Sequence, residues 1–251
     1  MTLLQNRDNT DVVCAPTHHF CNLGCKMCHL TTNKLNKEMI AIEIDDFIEA
    51  LLQSVCNNKN ERITNKKKLL ISFMGVGEPL LNLELIRQVY LHRNELCNQL
   101  NYDYIGFALS TMMPIDNIDT VIELVNSYNI PLKIHFSLHS PIDKKRNALI
   151  PSSKVSIENA FAKLSLYKNI ISKNKDIMRE YTFYHRTDNL VEIHYTLIEN
   201  NNDTEEEKEL LGDLLKSYNL PIKFIEFNPK ENMQKSKKID EWVKYVNDPD
   251  L

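Results

Sequence analysis

Glycine is scarce in this chain, with five in 251 residues at positions 24, 75, 77, 106 and 212, against about 7% in average proteins. That excludes collagenous and glycine-rich low-complexity chains, and it makes each glycine present a candidate for a backbone position that requires one. Long apolar runs are missing as well. No stretch approaches the ~18 consecutive apolar residues of a membrane span, and the opening MTLLQNRDNTDVV lacks the basic head and apolar run of a signal peptide. Positive charge is not in excess: 30 Lys and Arg stand against 34 Asp and Glu, a net charge of −4, so no global basic field advertises nucleic-acid binding. The basic clusters Lys66 to Lys68, Lys144 to Arg146 and Lys235 to Lys238 read as solvated faces. Cysteine is absent after position 97. The six cysteines, at 14, 21, 25, 28, 56 and 97, are bunched rather than spread as in a disulfide framework. The expectation is a cytoplasmic protein with no membrane association and reduced thiols, in which a tight cysteine cluster signals metal ligation or catalysis.

What is present is a globular profile, 43% hydrophobic and 25% charged, long enough for a large core. Apolar runs suited to strands alternate with amphipathic helical stretches throughout. Strands are predicted at residues 11–15, 69–74, 104–110, 132–139, 192–198 and 222–227. Helices are predicted around Ile44 to Val55, where apolar residues recur at helical spacing, and at 85–96, 115–128, 157–171, 204–218 and 239–246. Asp203 or Thr204 caps the helix at 204–218, with Glu205 to Glu207 in its positive first turn. The polar and aromatic stretch 174–189 is a loop or an inserted element. Six strand-then-helix units imply an α/β fold with parallel strands and right-handed crossovers. A partial barrel and a doubly wound sheet both satisfy that pattern. In either, ligands collect at the C-terminal ends of the strands. The chain reads as one domain over 1–251.

The motif with the most chemistry follows the first predicted strand: Cys14-APTHHF-Cys21-NLG-Cys25-KM-Cys28. Spacings of four and three residues let one loop bring three thiolates, Cys21, Cys25 and Cys28, around one face of an iron–sulfur cluster, leaving one iron free to chelate a cofactor. A structural zinc site is the alternative, with a fourth ligand from His18, His19 or His29. The C-x3-C-x2-C loop after the first strand resembles the signature of the radical SAM superfamily. The resemblance implies a partial (β/α)6 barrel, with a [4Fe–4S] cluster on Cys21, Cys25 and Cys28 and S-adenosyl-L-methionine on the fourth iron. Met27 stands where the family usually has an aromatic, and Gly24 suits a tight turn in the loop.

After the second predicted strand comes FMGVGEPLLN, residues 73–82. By itself it is either a strand-to-helix turn or a ligand-binding loop in which Glu78 accepts from a cationic amine. The segment is similar to GMGEPLLN of the RlmN/Cfr family, radical SAM methyltransferases acting on carbon 2 or carbon 8 of an adenine in RNA. Further segments match in order over about residues 11–230, the catalytic core: Ser110-Thr111, Ser137-Leu138-His139-Ser140-Pro141 continuing through Asp143 to Arg146 and Pro151, Tyr195-Thr196-Leu197-Ile198 leading to Asn202-Asp203, and Phe227-Asn228-Pro229. The resemblance implies that Gly77, Glu78, Ser110, Ser137, Leu138, His139 and Asn228 bind S-adenosylmethionine. It also implies that Cys14, seven residues before Cys21, is a catalytic thiol that resolves a covalent protein–RNA intermediate.

An rRNA or tRNA substrate, a flavodoxin-type or other low-potential reductant, and a monomeric enzyme that cleaves S-adenosylmethionine to a 5′-deoxyadenosyl radical complete the expectation. The segment from Tyr181 through Phe183, Tyr184 and His185 to Arg186 offers a stacking platform for an RNA base or an ordinary surface element. Cys56 and Cys97 read as core thiols. The chain departs from the family in PTHHF between Cys14 and Cys21, in His194 where an acidic residue is usual, and in having no cysteine after Cys97 to carry a methyl group. Two other readings stay open: a radical SAM enzyme acting on a nucleotide or a protein, and a non-catalytic zinc-binding module.

Overall fold

Along the strand at Leu132–Ser137, Leu132, Ile134 and Phe136 are fully buried while Lys133, His135 and Ser137 are only partly so. This period-two alternation gives the sheet two unlike faces, one packed under a helical layer and one turned away from it. The computed structural model describes residues 1–5, 10–30, 38–56, 68–184 and 189–248. Within them, seven strands form one sheet in sequential order: β1 (Thr2–Gln5), β2 (Thr10–Cys14), β3 (Lys68–Phe73), β4 (Tyr104–Thr111), β5 (Leu132–Ser137), β6 (Val191–Thr196) and β7 (Ile222–Ile225). Strands β2 to β7 are all parallel to their neighbours, and β1 pairs antiparallel with β2.

A doubly wound sheet needs a reversal of strand order, and this order has none. Right-handed crossovers between sequential strands put the helices on one side, and the sheet curls into a half-barrel. The six expected strands are all present, within three residues of the predicted limits. β1 is additional, and too short and terminal for its four residues to carry a periodic signal.

The helices are α1 (Ile44–Cys56), α2 (Leu83–Leu91), α3 (Arg93–Leu100), α4 (Ile118–Tyr128), α5 (Asp143–Leu149), α6 (Ile157–Ile171), α7 (Lys175–Tyr184), α8 (Glu205–Tyr218) and α9 (Ile239–Val246). One continuous core unites Phe47, Leu51 and Val55 of α1 and Val121 and Val125 of α4 with Ile71, Phe107, Ile134 and Ile193 of the sheet. Each such side chain contributes about 1.5–3 kcal/mol on burial.

The structure revises several expectations. The helix predicted at 85–96 is two, broken at His92, whose Nδ1 donates to the Gln88 carbonyl at 2.9 Å. The stretch 174–189 contains α7, which leads into the start of β6 and therefore lies at the opposite end of the sheet from the expected site. Tyr181 is fully buried and donates to the Asn189 carbonyl at 2.5 Å, so it is a core residue and not a stacking surface. His185 and Arg186 lie outside the described residues. Thr204, not Asp203, caps α8, accepting from the Glu207 N–H at 3.3 Å. Cys56 ends α1 exposed, whereas Cys97 packs against the core as expected. The Lys144 to Arg146 cluster is not a uniformly solvated face: it lies on α5, and Arg146 is fully buried. Lys66 and Lys67 lie outside the described residues. No described helix is long and apolar enough to cross a membrane.

Candidate functional site

The C-terminal ends of β2 to β7 gather the motif residues, because each motif directly follows a strand. The turn after β3 is pressed onto the segment that leaves β2. Thr17 and His18 N–H both donate to the Val76 carbonyl, at 2.9 and 3.3 Å, and Gly75 N–H donates to Ala15 at 3.0 Å. Side chains would not fit there. A Cβ on Gly75 would stand 2.8 Å from the Pro16 nitrogen, and one on Gly77, whose φ is +105°, would stand 2.4 Å from His18 Nδ1. Asn82, at the end of the same motif, is a clamp: its Oδ1 caps α2 at Leu85 N, and its Nδ2 donates to the carbonyls of Thr17 (2.9 Å) and Ile42 (3.3 Å).

Glu78 is 2% exposed. One carboxylate oxygen accepts from Leu80 N–H and the other from Met112 N–H, each at 3.1 Å, and Thr111 adds a side-chain hydrogen bond. Burial nonetheless pushes its carboxyl up to about 7, against the downward pull of these donors and of Arg146. An arriving cation would restore its charge.

Cys21, Cys25 and Cys28 follow on the loop that turns at Gly24. Cys21 is buried, and its thiol accepts from the backbone of Leu23 and Gly77, joining the cysteine loop to the glutamate turn. Cys25 lies 3.7 Å from Met112 Sδ, in an apolar cluster that includes Leu149, Ile150, Ile198 and Phe227. Burial and the neighbouring Cys28 and Cys21 raise its thiol to about 12. Lys230 ties the loop to the segment after β7, its Nζ donating to the carbonyls of Cys28 (2.8 Å) and Lys26 (3.0 Å), while His29 Nε2 donates to the carbonyl of the exposed Asn228 at 3.2 Å.

All six cysteines are free. Three thiolates on one zinc, with Zn–S near 2.3 Å, would stand about 3.8 Å apart. Among the described residues, the sulfurs of Cys21, Cys25 and Cys28 do not all lie within 4.8 Å of one another, and they form no such group with a histidine. Three sulfurs spread too widely for one ion to reach all of them suit a polynuclear cluster better. Its positive charge would offset the burial that now keeps Cys25 protonated. The donor set thus fits an iron–sulfur cluster, and the buried Glu78 fits the ammonium of an amino-acid cofactor.

Ser110 and Ser137 are half-buried near the ends of β4 and β5. Leu138 is fully buried, its N–H donating to the His194 carbonyl at 3.0 Å. His139 adopts a left-handed φ of +58°, a strained state for a non-glycine residue. Asn202 holds it there by donating to its carbonyl at 2.6 Å. Thr196 N–H donates to His139 Nδ1 at 3.0 Å, so the ring proton sits on Nε2, and burial lowers the imidazole to about 3. Cys14 ends β2 opposite Ser72 of β3, half-buried, with its thiol raised by burial.

Arg146 organises these strand ends. Its guanidinium donates to the carbonyls of Met112 (2.7 Å), Leu138 (3.2 Å) and Ser137 (3.3 Å) and to Ser153 Oγ, and it stacks 5.0 Å from the Phe136 centroid. Burial lowers it to about 10. Its place in the run after SLHSP was the one signal in the sequence that set it apart from its basic neighbours.

The half-barrel has counterparts among solved structures. A solved radical SAM methyltransferase from Sphaerobacter thermophilus superposes with a TM-score of 0.73 at 20% identity, covering 97% of this chain and 65% of that one. The fold is the radical SAM half-barrel. Streptococcus suis SuiB bound to S-adenosylmethionine shares it more distantly, with a TM-score of 0.58 at 14% identity over 94% of this chain and 46% of that protein. In sequence, the chain is similar to the probable dual-specificity RNA methyltransferase RlmN of Finegoldia magna, 28% identical over 249 residues, and to that of Alkaliphilus metalliredigens, 29% over 233 residues. These alignments cover 97% and 92% of this chain but 62% and 57% of the relatives, so the chain spans about 60% of their length. No protein-family model matches the chain.

Proposed function

We propose that this chain is a radical SAM enzyme that methylates an adenine carbon, C2 or C8, in RNA. Cys21, Cys25 and Cys28 hold a [4Fe–4S] cluster, and Gly77, Glu78, Ser110, Ser137, Leu138, His139 and Asn228 hold S-adenosylmethionine. The observation that carries the reading is Glu78, a carboxylate buried at the strand ends, tied to the cysteine loop through Gly77 N–H and Cys21 Sγ. When bound, the cluster and cofactor supply one-electron cleavage, giving a radical able to act at weakly nucleophilic adenine carbons.

The protein's part is positioning and exclusion of water. Glu78 receives the cofactor ammonium with oxygens already oriented by Leu80 and Met112. Ser110 and Ser137 offer hydroxyls, and His139 offers an Nε2–H donor fixed by Thr196. Leu149, Ile150 and Phe227 shield the cluster loop from solvent. Cys14 is the catalytic thiol; burial holds it protonated, so it needs a base before acting as a nucleophile. The similarity to proteins named RNA methyltransferases supports RNA as substrate.

The test is incubation of the reconstituted, reduced protein with methyl-labelled S-adenosylmethionine and RNA, followed by mass spectrometry of the nucleosides. Labelled methyladenosine is expected. Deoxyadenosine formed without label in RNA would move the assignment to a radical SAM enzyme with a nucleotide or protein substrate. Neither product, from protein with a full iron complement, would refute the reading.

A further inference from the structure

Beneath the strand ends, the concave face of the half-barrel carries a second group of ligand-type side chains that the cofactor site does not use. On β5 and β6, Ile134, Phe136, Ile193 and Tyr195 face the helical core, so Lys133, His135, Glu192 and His194 fall on the opposite face. The parallel register sets His135 against Glu192 and Ser137 against His194.

We propose that His135, Glu192 and His194 form a binding site for a divalent first-row transition metal, distinct from the cysteine loop. Their ligand atoms all lie within 4.8 Å of one another. One carboxylate oxygen of Glu192, Oε2, lies 3.1 Å from His194 Nε2 and 3.3 Å from His135 Nδ1, and the two rings stack at 4.4 Å. The other oxygen, Oε1, is held by Lys133 Nζ at 3.4 Å, as the outer oxygen of a ligating carboxylate commonly is.

His135 Nδ1 is buried and has no hydrogen-bond partner despite the nearby oxygen. An ion between the two imidazoles and Oε2 would satisfy that atom. Two imidazoles and one carboxylate suit Fe2+, Co2+, Ni2+ or Zn2+. Three protein ligands leave a position for water or a heteroatom of a substrate. Ser110, paired in register with His135, and Ser137, paired with His194, lie on the same face toward the cofactor end.

This site does not depend on the proposed radical chemistry, and the experiment keeps the two apart. The full chain carrying Cys21→Ser, Cys25→Ser and Cys28→Ser is titrated anaerobically with Co2+. One bound equivalent is expected, with ligand-field absorption and no intense thiolate charge-transfer band. Adding Glu192→Gln or His194→Gln should weaken binding roughly 100-fold or more, and Lys133→Met roughly 10-fold. His194→Asp, which keeps a donor, should restore most of it.

Pulsed EPR of Cu2+ added to the cluster-loaded wild type, in which the cysteines are occupied, should report two imidazole nitrogens and needs no substitution. Absence of a thiol-independent Co2+ equivalent, affinity unmoved by Glu192→Gln together with His194→Gln, or no imidazole signal in the wild type would each overturn the assignment in favour of a metal-free hydrogen-bonded network.

Discussion

Replacing Glu78 by Gln isolates the energetic core of the proposed cofactor site. In the unfolded chain this carboxyl ionises near 4.5, and in the folded chain near 7, because burial outweighs its donors. The folded state therefore binds the extra proton between those values, and the contribution of Glu78 to stability falls as pH rises through that window. The difference corresponds to about 3 kcal/mol, absent below pH 4.5 and complete above pH 7. Urea unfolding of the reduced, cofactor-free protein across this range should show wild type losing about 3 kcal/mol relative to Glu78→Gln.

A constant offset of about 1–3 kcal/mol in the other direction is expected, because the Gln amide faces an N–H that the second oxygen accepted. The slope of the difference, not its offset, carries the test. Parallel stability curves for the two proteins would refute the claim that a carboxylate is buried there without a cation. In the presence of S-adenosylmethionine the sign reverses. Binding of the ammonium requires ionised Glu78, so affinity should rise with pH through about 7 in wild type and stay low and flat in the Gln variant.

Gly77→Ala places a Cβ 2.4 Å from His18 Nδ1 at a φ of +105°, and should cost about 1–3 kcal/mol in thermal unfolding while disrupting iron incorporation. Arg146→Met orphans the buried carbonyls of Met112, Ser137 and Leu138, each worth about 1–3 kcal/mol; a loss of less than ~1 kcal/mol in denaturant titration would contradict its role in holding the strand ends. Cys21→Ser should lower the iron and sulfide bound after anaerobic reconstitution, whereas Cys14→Ala should leave both unchanged and abolish labelled methyladenosine, as seen by mass spectrometry.

How legible the molecule was depends on the range of the signal. The run Ile44 to Val55 writes α1 in its own periodicity, and the strands announce themselves as apolar segments between turns. The break at His92 does not, because Leu85, Val89 and Leu96 keep helical spacing across it. Tyr181 looked as available for stacking as any exposed aromatic. Only the course of α7 into the start of β6 puts it in the core at the far end from the site.

The residues of the proposed site are local in the chain: three cysteines in one loop, and two glycines and a glutamate in one turn, each after a strand, where parallel α/β sheets place ligands. What tertiary structure alone decided is which separated residues meet. Arg146 sits between two lysines in the sequence, yet it is drawn inside because three strand-end carbonyls need a donor there. His135 and the Glu192/His194 pair are 57 or more residues apart along the chain and converge because β5 and β6 pair in one register. Since successive residues of a strand face opposite ways, a slip of β6 by one position would have turned Glu192 and His194 into the helical core, away from His135.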